Sequence, residues 1–378
     1  GFNFDYTQDG PIAWTLSEPY GAYGWWPCKQ QLTDKIDSMD FEYTIPKGNK
    51  AAGQGMLQRV DTLSDSSLVY HWKHRYPIST YLVSVTVTNY YEQSFYIPLS
   101  GGDSVYHLDY LYPAYKPAAD TLSVAIHGIM RAFDSLFGDY PFKKEKYGHA
   151  QFARGGGMEH QTMSSMSDLG FDLMAHELAH QWFGDKITCG SWADLWLNEG
   201  WATYANGLAR EMVQGKPPFI DFLKTCNNRI TRNTDGAVFA YDTANVNNLF
   251  FGDMRYRKGA KVLHLLRWEL GDDVFFNATR NYMGNAALCY GFAHTVDFKE
   301  ALELESGQDL TDFFDRYIYK EGWPTITTVW NRLPAGKVAL AISQVTSHPS
   351  VSFFPLKIEY RAKGENRDTL FIVDHSVG

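Results

Sequence analysis

Residues 172–209 read DLMAHELAHQWFGDKITCGSWADLWLNEGWATYANGLA. Apolar residues recur here at helical spacing, so His176 and His180, four apart, project from one face of a helix and can bind one Zn2+. Glu177 projects about 100° further round, where it can reach a water beside the ion. At the chain's own residue frequencies this H-E-x-x-H arises by chance in roughly two of a hundred such sequences. A catalytic zinc needs a third protein ligand and an open position, and Glu199 supplies that ligand from a neighbouring element. The residues between His180 and Glu199 allow the first helix to end at Gly184, a loop through Cys189 and Gly190, and a return on a second helix. A Glu at that spacing brings the chance expectation below about one in a thousand. Asp194 is placed either to accept from a ligand histidine N–H or to offset a helix N-terminus.

Outward from this stretch, the 378 residues are enough for more than one core. A hydrophobic content of 44% with 20% charged residues excludes global disorder. The net charge of -9 and the lack of a basic stripe argue against nucleic acid as a partner. No apolar run is long enough to span a bilayer, so the chain is expected to be soluble, in the cytoplasm, the periplasm or outside the cell. Cys28, Cys189, Cys226 and Cys289 form no C-x-x-C pair, which argues against a cysteine zinc site and a disulfide-dense secreted scaffold and leaves room for one or two disulfides. The first residue is Gly1, as expected of a chain that has lost a leader or been excised.

Between residues 38 and 116, FEYTIP, SLVYHW, TYLVSVTVTNYY and SFYIPL alternate with turn residues and predict an antiparallel β unit. After Pro117 the spacing of Leu122, Ile126, Ile129, Met130, Phe133 and Leu136 is helical. One strand-like stretch, YGHAQFARGGGMEH, follows, and helical patterns then run from Ser167 to about Tyr319 with breaks at Gly184, Gly215 to Pro218 and Gly271. Alternation returns from Pro324. The expected architecture is multi-domain α+β: an antiparallel β unit over 1–116, a mainly helical catalytic unit over 117–323, and a short β-sandwich segment over 324–378.

The stretch HELAHQWFGDKITCGSWADLWLNEGWATY resembles the zinc signature of the aminopeptidase N and leukotriene hydrolase family of gluzincin peptidases. The similarity extends to GGGMEH (155–160), YRKG (256–259), PCKQQLTDK (27–35) and YLVSVTV, and so covers most of residues 15–325. It implies a thermolysin-like catalytic domain and one Zn2+ per chain on His176, His180 and Glu199, with Glu177 as general base. It implies peptide substrates with a free N-terminus, shortened by one residue at a time. Gly156, Gly157, Met158, Glu159 and His160 match the family's G-x-M-E-N strand. Its glycines let a peptide backbone approach, and its Glu binds the substrate's α-amine. Glu18 matches a second amine-binding carboxylate, and Tyr256 matches the tyrosine that donates to the oxyanion. Two positions depart from the pattern: His160 replaces the usual Asn, and Leu16 stands where many relatives have Gln. Relatives also carry a longer N-terminal β domain and a large helical C-terminal domain, so the chain is expected to be part of a longer protein or to belong to a short-armed branch.

Two rivals share part of this pattern. A thermolysin-type zinc endopeptidase has the ligands and base but no amine anchor, and a catalytically weak peptide-binding protein would keep the cleft without turnover. Other residues are assigned to packing: His264 on an apolar helix stripe, Trp25 and Trp26 in a core, Lys258 and Gly259 as structural. His127, His149, His294 and His348 stand at no metal-ligand spacing in the sequence. The sequon Asn277-Ala278-Thr279 is expected by chance in a chain this long.

Overall fold

The computed structural model describes residues 1–364 and 368–376; the side chains at positions 122 and 123 and the remaining residues of the C-terminal segment lie outside the described part. Period-two alternation builds the N-terminal unit. In Met39–Ile45 the side chains of Phe41 and Ile45 are buried while Glu42 and Thr44 face solvent. That strand pairs with Leu68–His74, which pairs in turn with Met56–Thr62. A second antiparallel sheet takes the order Phe2–Thr7, Gly10–Thr15, Thr86–Thr88, Lys50–Ala52. Ile12, Trp14, Phe41, Tyr70 and Trp72 are buried in the core that the two sheets share.

A third sheet has five strands, in the order Gly157–Met158, Ser164–Met166, Lys146–Gln151, Ser104–Leu111, Tyr91–Pro98. Lys146–Gln151 pairs in parallel with both of its neighbours. The boundary expected near residue 117 lies after strands 91–98 and 104–111, which share this sheet with Lys146–Gln151: Ile97, Val105 and Leu111 pack in the core of the helices, and Leu108 and Tyr110 in that of the N-terminal sheets.

The helices are α1 (Ala119–Phe137), α2 (Phe171–His180), α3 (Trp196–Ala209), α4 (Lys216–Ile230), the single turn α5 (Val246–Leu249), α6 (Gly259–Leu270), α7 (Asp272–Gly284), α8 (Thr295–Ser306) and the short α9 (Thr311–Phe314). The stripe Ile126, Ile129, Met130 and Phe133 of α1 is buried against the main core, as its spacing predicts. Gly215 and Gly271 separate helices at positive φ, where the expected breaks fall. Helix α2 stops at His180, earlier than Gly184, and the chain turns back through Gly184 at φ 136. Helices α3 and α6 approach closely at Gly200 and Gly259: a Cβ on Gly259 would lie 3.0 Å from the Gly200 Cα.

The C-terminal segment forms two hairpins, Pro324–Leu333 with Lys337–Thr346 and Leu356–Lys363 with Asp368–His375. Phe354, between them, is buried in the main core. All four cysteines are unpaired thiols. Among the described residues no helix is long and apolar enough to cross a membrane.

Candidate metal centre and active site

Helix α2 presents His176 and His180 on one face, and the first turn of α3 brings Glu199 against them. His176 Nε2 and His180 Nε2 lie 3.1 Å apart. Glu199 Oε2 is 3.1 Å from the first and 3.3 Å from the second. Donors bound at about 2.0–2.1 Å to a tetrahedral ion stand about 3.3 Å from one another, so the three atoms fit a zinc ion without rearrangement. The His180 Nδ1 faces the Phe183 carbonyl at 3.0 Å, which fixes the tautomer and points Nε2 into the site. Asp194, one of the acceptors considered for a ligand histidine, instead takes the Thr295 N–H and hydroxyl and pairs with His294 Nδ1, tying α8 to the start of α3.

Glu177 is buried beside this cluster, and Gly157 makes room for it: a Cβ at Gly157 would fall 2.3 Å from Glu177 Oε1. Glu159 is buried close by, and part-buried Glu18 approaches both from the N-terminal unit. One oxygen each of Glu18, Glu159 and Glu177 is buried without a hydrogen-bond partner. Burial, with Glu159 second, holds the Glu18 carboxyl well above the usual range, and burial does the same for Glu177. Burial alone would lower the His180 pKa, yet the Glu159 and Glu199 carboxylates push it well up. Burial opposes ionisation of Glu199 too, but His180 and His176 hold it below the ordinary carboxylate range. Four carboxylates around two imidazoles leave a surplus of negative charge in a buried place, and such a place demands cations.

Tyr256 donates to Glu199 Oε1 at 2.8 Å, and its ring lies nearly parallel to that of His176. It sits in a π turn, Asp253–Lys258, whose widened pairing includes Arg257 N–H to the Gly252 carbonyl at 3.1 Å, and which leads into α6. Burial and the Glu199 charge raise the phenol pKa well above its ordinary value, so the group stays a donor.

Gly157–Met158 is the edge strand of the five-stranded sheet, with the Met158 side chain buried in the N-terminal core. His160, expected to contact substrate, is fully buried with Nδ1 2.8 Å from Ser165 Oγ, and so supports the strand from behind. Burial lowers its pKa to about 3, so the ring is neutral.

Several residues that position the site carry no spacing signal. Gln181, directly after the metal helix, donates to the Glu159 carbonyl at 3.2 Å and accepts the Thr162 N–H at 2.8 Å. Lys146 is buried, with Nζ 3.0 Å from the Gly53 carbonyl and 3.2 Å from Thr162 Oγ1, so it ties the same loop to the N-terminal unit. Tyr81, also buried, favours the charged form of Glu159 and accepts from Asn198 Nδ2 at 3.4 Å. His149 joins His107 and Asp109 in space, but both rings lie only 2.7–2.8 Å from Asp109 Oδ1, which is hydrogen-bond spacing and tighter than that around a zinc ion. His348 stands near Asp235 and Glu321 at a partly exposed surface. His264 bonds Tyr204, consistent with its packing assignment.

Residues 131–317 match the family described as the Peptidase family M1 domain. That segment belongs to the M1 peptidase family. It is 32% identical over 190 residues to Aminopeptidase M1 of Arabidopsis thaliana, a match covering 47% of this chain and 20% of that protein. Aminopeptidase N of Lactococcus lactis subsp. lactis is 31% identical over 168 residues, 41% of this chain and 19% of that protein. Glutamyl aminopeptidase of Rattus norvegicus is 25% identical over 350 residues, 85% of this chain and 36% of that protein. The matches thus span between 19% and 36% of the length of these relatives. Its fold is similar to that of an M1 zinc metallopeptidase from Deinococcus radiodurans, with a TM-score of 0.70 at 24% identity, covering 81% of this chain and 69% of that one.

Proposed function

We propose that this chain is a zinc-dependent aminopeptidase that removes one residue at a time from the free N-terminus of peptides. The observation that carries this is the set of carboxylates that each keep a buried, unpartnered oxygen, Glu18, Glu159 and Glu177, around a ligand triad. A divalent ion and a substrate ammonium together offset that charge, whereas an internal peptide segment brings nothing to pair with Glu159 and Glu18. The names of the aminopeptidase relatives support this reading, as does a solved M1 zinc metallopeptidase bound to a Tyr-Ser-Ala substrate.

His176, His180 and Glu199 would hold one Zn2+. When bound, the ion supplies Lewis-acid polarisation of the scissile carbonyl and of the attacking water. Glu159 and Glu18 hold the N-terminal ammonium. The edge strand Gly157–Met158, preceded by Gly156, offers backbone groups to the peptide, as in strand addition. Glu177 takes the proton of the attacking water and returns it to the leaving nitrogen. The Tyr256 hydroxyl turns from Glu199 to donate to the tetrahedral oxygen as its charge grows.

The test compares alanyl, leucyl and arginyl p-nitroanilides with their N-acetylated forms, with and without a zinc chelator. Chelator-sensitive cleavage of the free-amine compounds alone is expected. Equal cleavage of the acetylated forms would replace the proposal with a thermolysin-type endopeptidase. Cleavage of neither by zinc-loaded protein would replace it with a peptide-binding protein.

A further inference from the structure

A cavity of about 540 Å3 shares His176 and Tyr256 with the site above, but neither Glu18 nor Glu159 lines it. Its walls are α2, α3, α4 and the π turn. With the amine held at Glu159 and the scissile carbonyl at Tyr256, the part of the peptide that follows the cut bond extends into this cavity. Its volume suits a short ligand.

The charges along its wall are unevenly paired. Arg210 is ion-paired with Asp172, and Asp221 with Lys224 at 3.3 Å. Arg257, also in the wall, shares one carboxylate, Asp253, with Arg229 behind it, at 3.0 and 3.2 Å. Two guanidiniums on one carboxylate leave a net positive charge. The Arg257 side chain keeps 35% of its surface accessible and lines the cavity, while Asp253 beneath it is buried. Gly252 leaves room for this guanidinium, since a Cβ there would lie 3.2 Å from Arg257 Nη1. The cleft is therefore anionic at the amine anchors and cationic at Arg257, with Phe222, Cys226 and Phe250 also in the cavity wall.

We infer that Arg257 binds the C-terminal carboxylate of short peptides, so that the preferred substrates carry both free termini. The inference rests on the aminopeptidase reading for the direction in which the peptide lies. A guanidinium fork suits a carboxylate because two parallel N–H groups meet two oxygens. A peptide amide offers no charge to the same group.

The experiment uses tri-alanine and tri-alanine amide. Binding of each to the zinc-loaded Glu177→Gln chain is measured by calorimetry, and turnover of each by the zinc-loaded wild type is followed by release of alanine. The acid is expected to bind, and to react in kcat/KM, about tenfold better than the amide, the low end for one charge-assisted hydrogen bond at a part-exposed site. Arg257→Gln should bring both ratios to about one. Equal affinities for acid and amide in the Glu177→Gln chain would overturn the assignment, and so would a ratio that survives Arg257→Gln. Where Arg257→Gln does not fold, Arg257→Lys takes its place: it keeps the charge but not the planar fork, so the acid-to-amide ratio should fall without vanishing, and an unchanged ratio would overturn the assignment. Absence of turnover with every free-amine peptide would overturn the aminopeptidase reading instead, and the affinity ratio would still decide the carboxylate site.

Discussion

Glu177 stands apart from the ligand triad, close enough to serve it and too buried to serve anything else. Replacing it with Gln keeps shape and packing but removes the base, so kcat should fall about 10²–10⁴-fold while bound zinc, read by elemental analysis, stays at the wild-type level. Glu159→Gln should act differently. The rate on free-amine anilides drops toward that on acetylated ones, and a variant that kept the full preference would remove Glu159 from the amine site. The residues of this scale were legible where chemistry dictates spacing. Two imidazoles four apart and a carboxylate one loop later are a pattern that helical geometry imposes on any such site. Gln181 and Tyr81 were not legible, because each acts through a partner far away in sequence, Glu159 in both cases.

At the scale of elements, the edge strand and the metal helix meet where Gly157 faces Glu177. Gly157→Ala introduces a methyl at 2.3 Å from Glu177 Oε1, so the carboxylate must move. The expected result is a loss of about 10²-fold in kcat with zinc retained, since displacing a reacting group by about 1 Å costs that much. Unchanged kcat would show that Glu177 reaches its water by another route. The α1 stripe and the breaks at Gly215 and Gly271 followed from apolar spacing and glycine, whereas the non-helical stretches at 231–245 and 285–294 and the sheet that strands 91–98 and 104–111 join did not. SFYIPL and the following strand alternate just as the N-terminal strands do. Which sheet a strand joins depends on a partner that comes later in the chain, here Lys146–Gln151, and alternation carries no record of it.

In the molecule as a whole, the N-terminal unit is fastened to the catalytic unit by a buried cation. Burial pushes the Lys146 pKa down to about 7 from its ordinary 10.5. Between those values the unfolded chain holds a proton that the folded chain has released, so stability contributed at this position rises with pH. Wild type compared with Lys146→Met should gain stability from pH 7 to pH 10 in denaturant titrations, with a level difference below pH 7. A difference that stays flat throughout would mean that the three oxygens around Nζ keep it charged in the folded state. No sequence pattern announced this tie. The last lysine of the charged run 143–146 looks like any strand terminus until Gly53 and Thr162 close around it.

The π turn at Asp253–Lys258 has a consequence for heredity. One residue more than an ordinary helix would use turns Tyr256 toward Glu199, and each residue of a helix sweeps about 100°. Deleting a single codon in this segment would give a more regular helix, and a screen for heat resistance alone would welcome it. The same deletion would swing the phenol out of the site. Selection for durability and selection for turnover therefore pull in opposite directions on the length of six residues, and only the second preserves the irregularity.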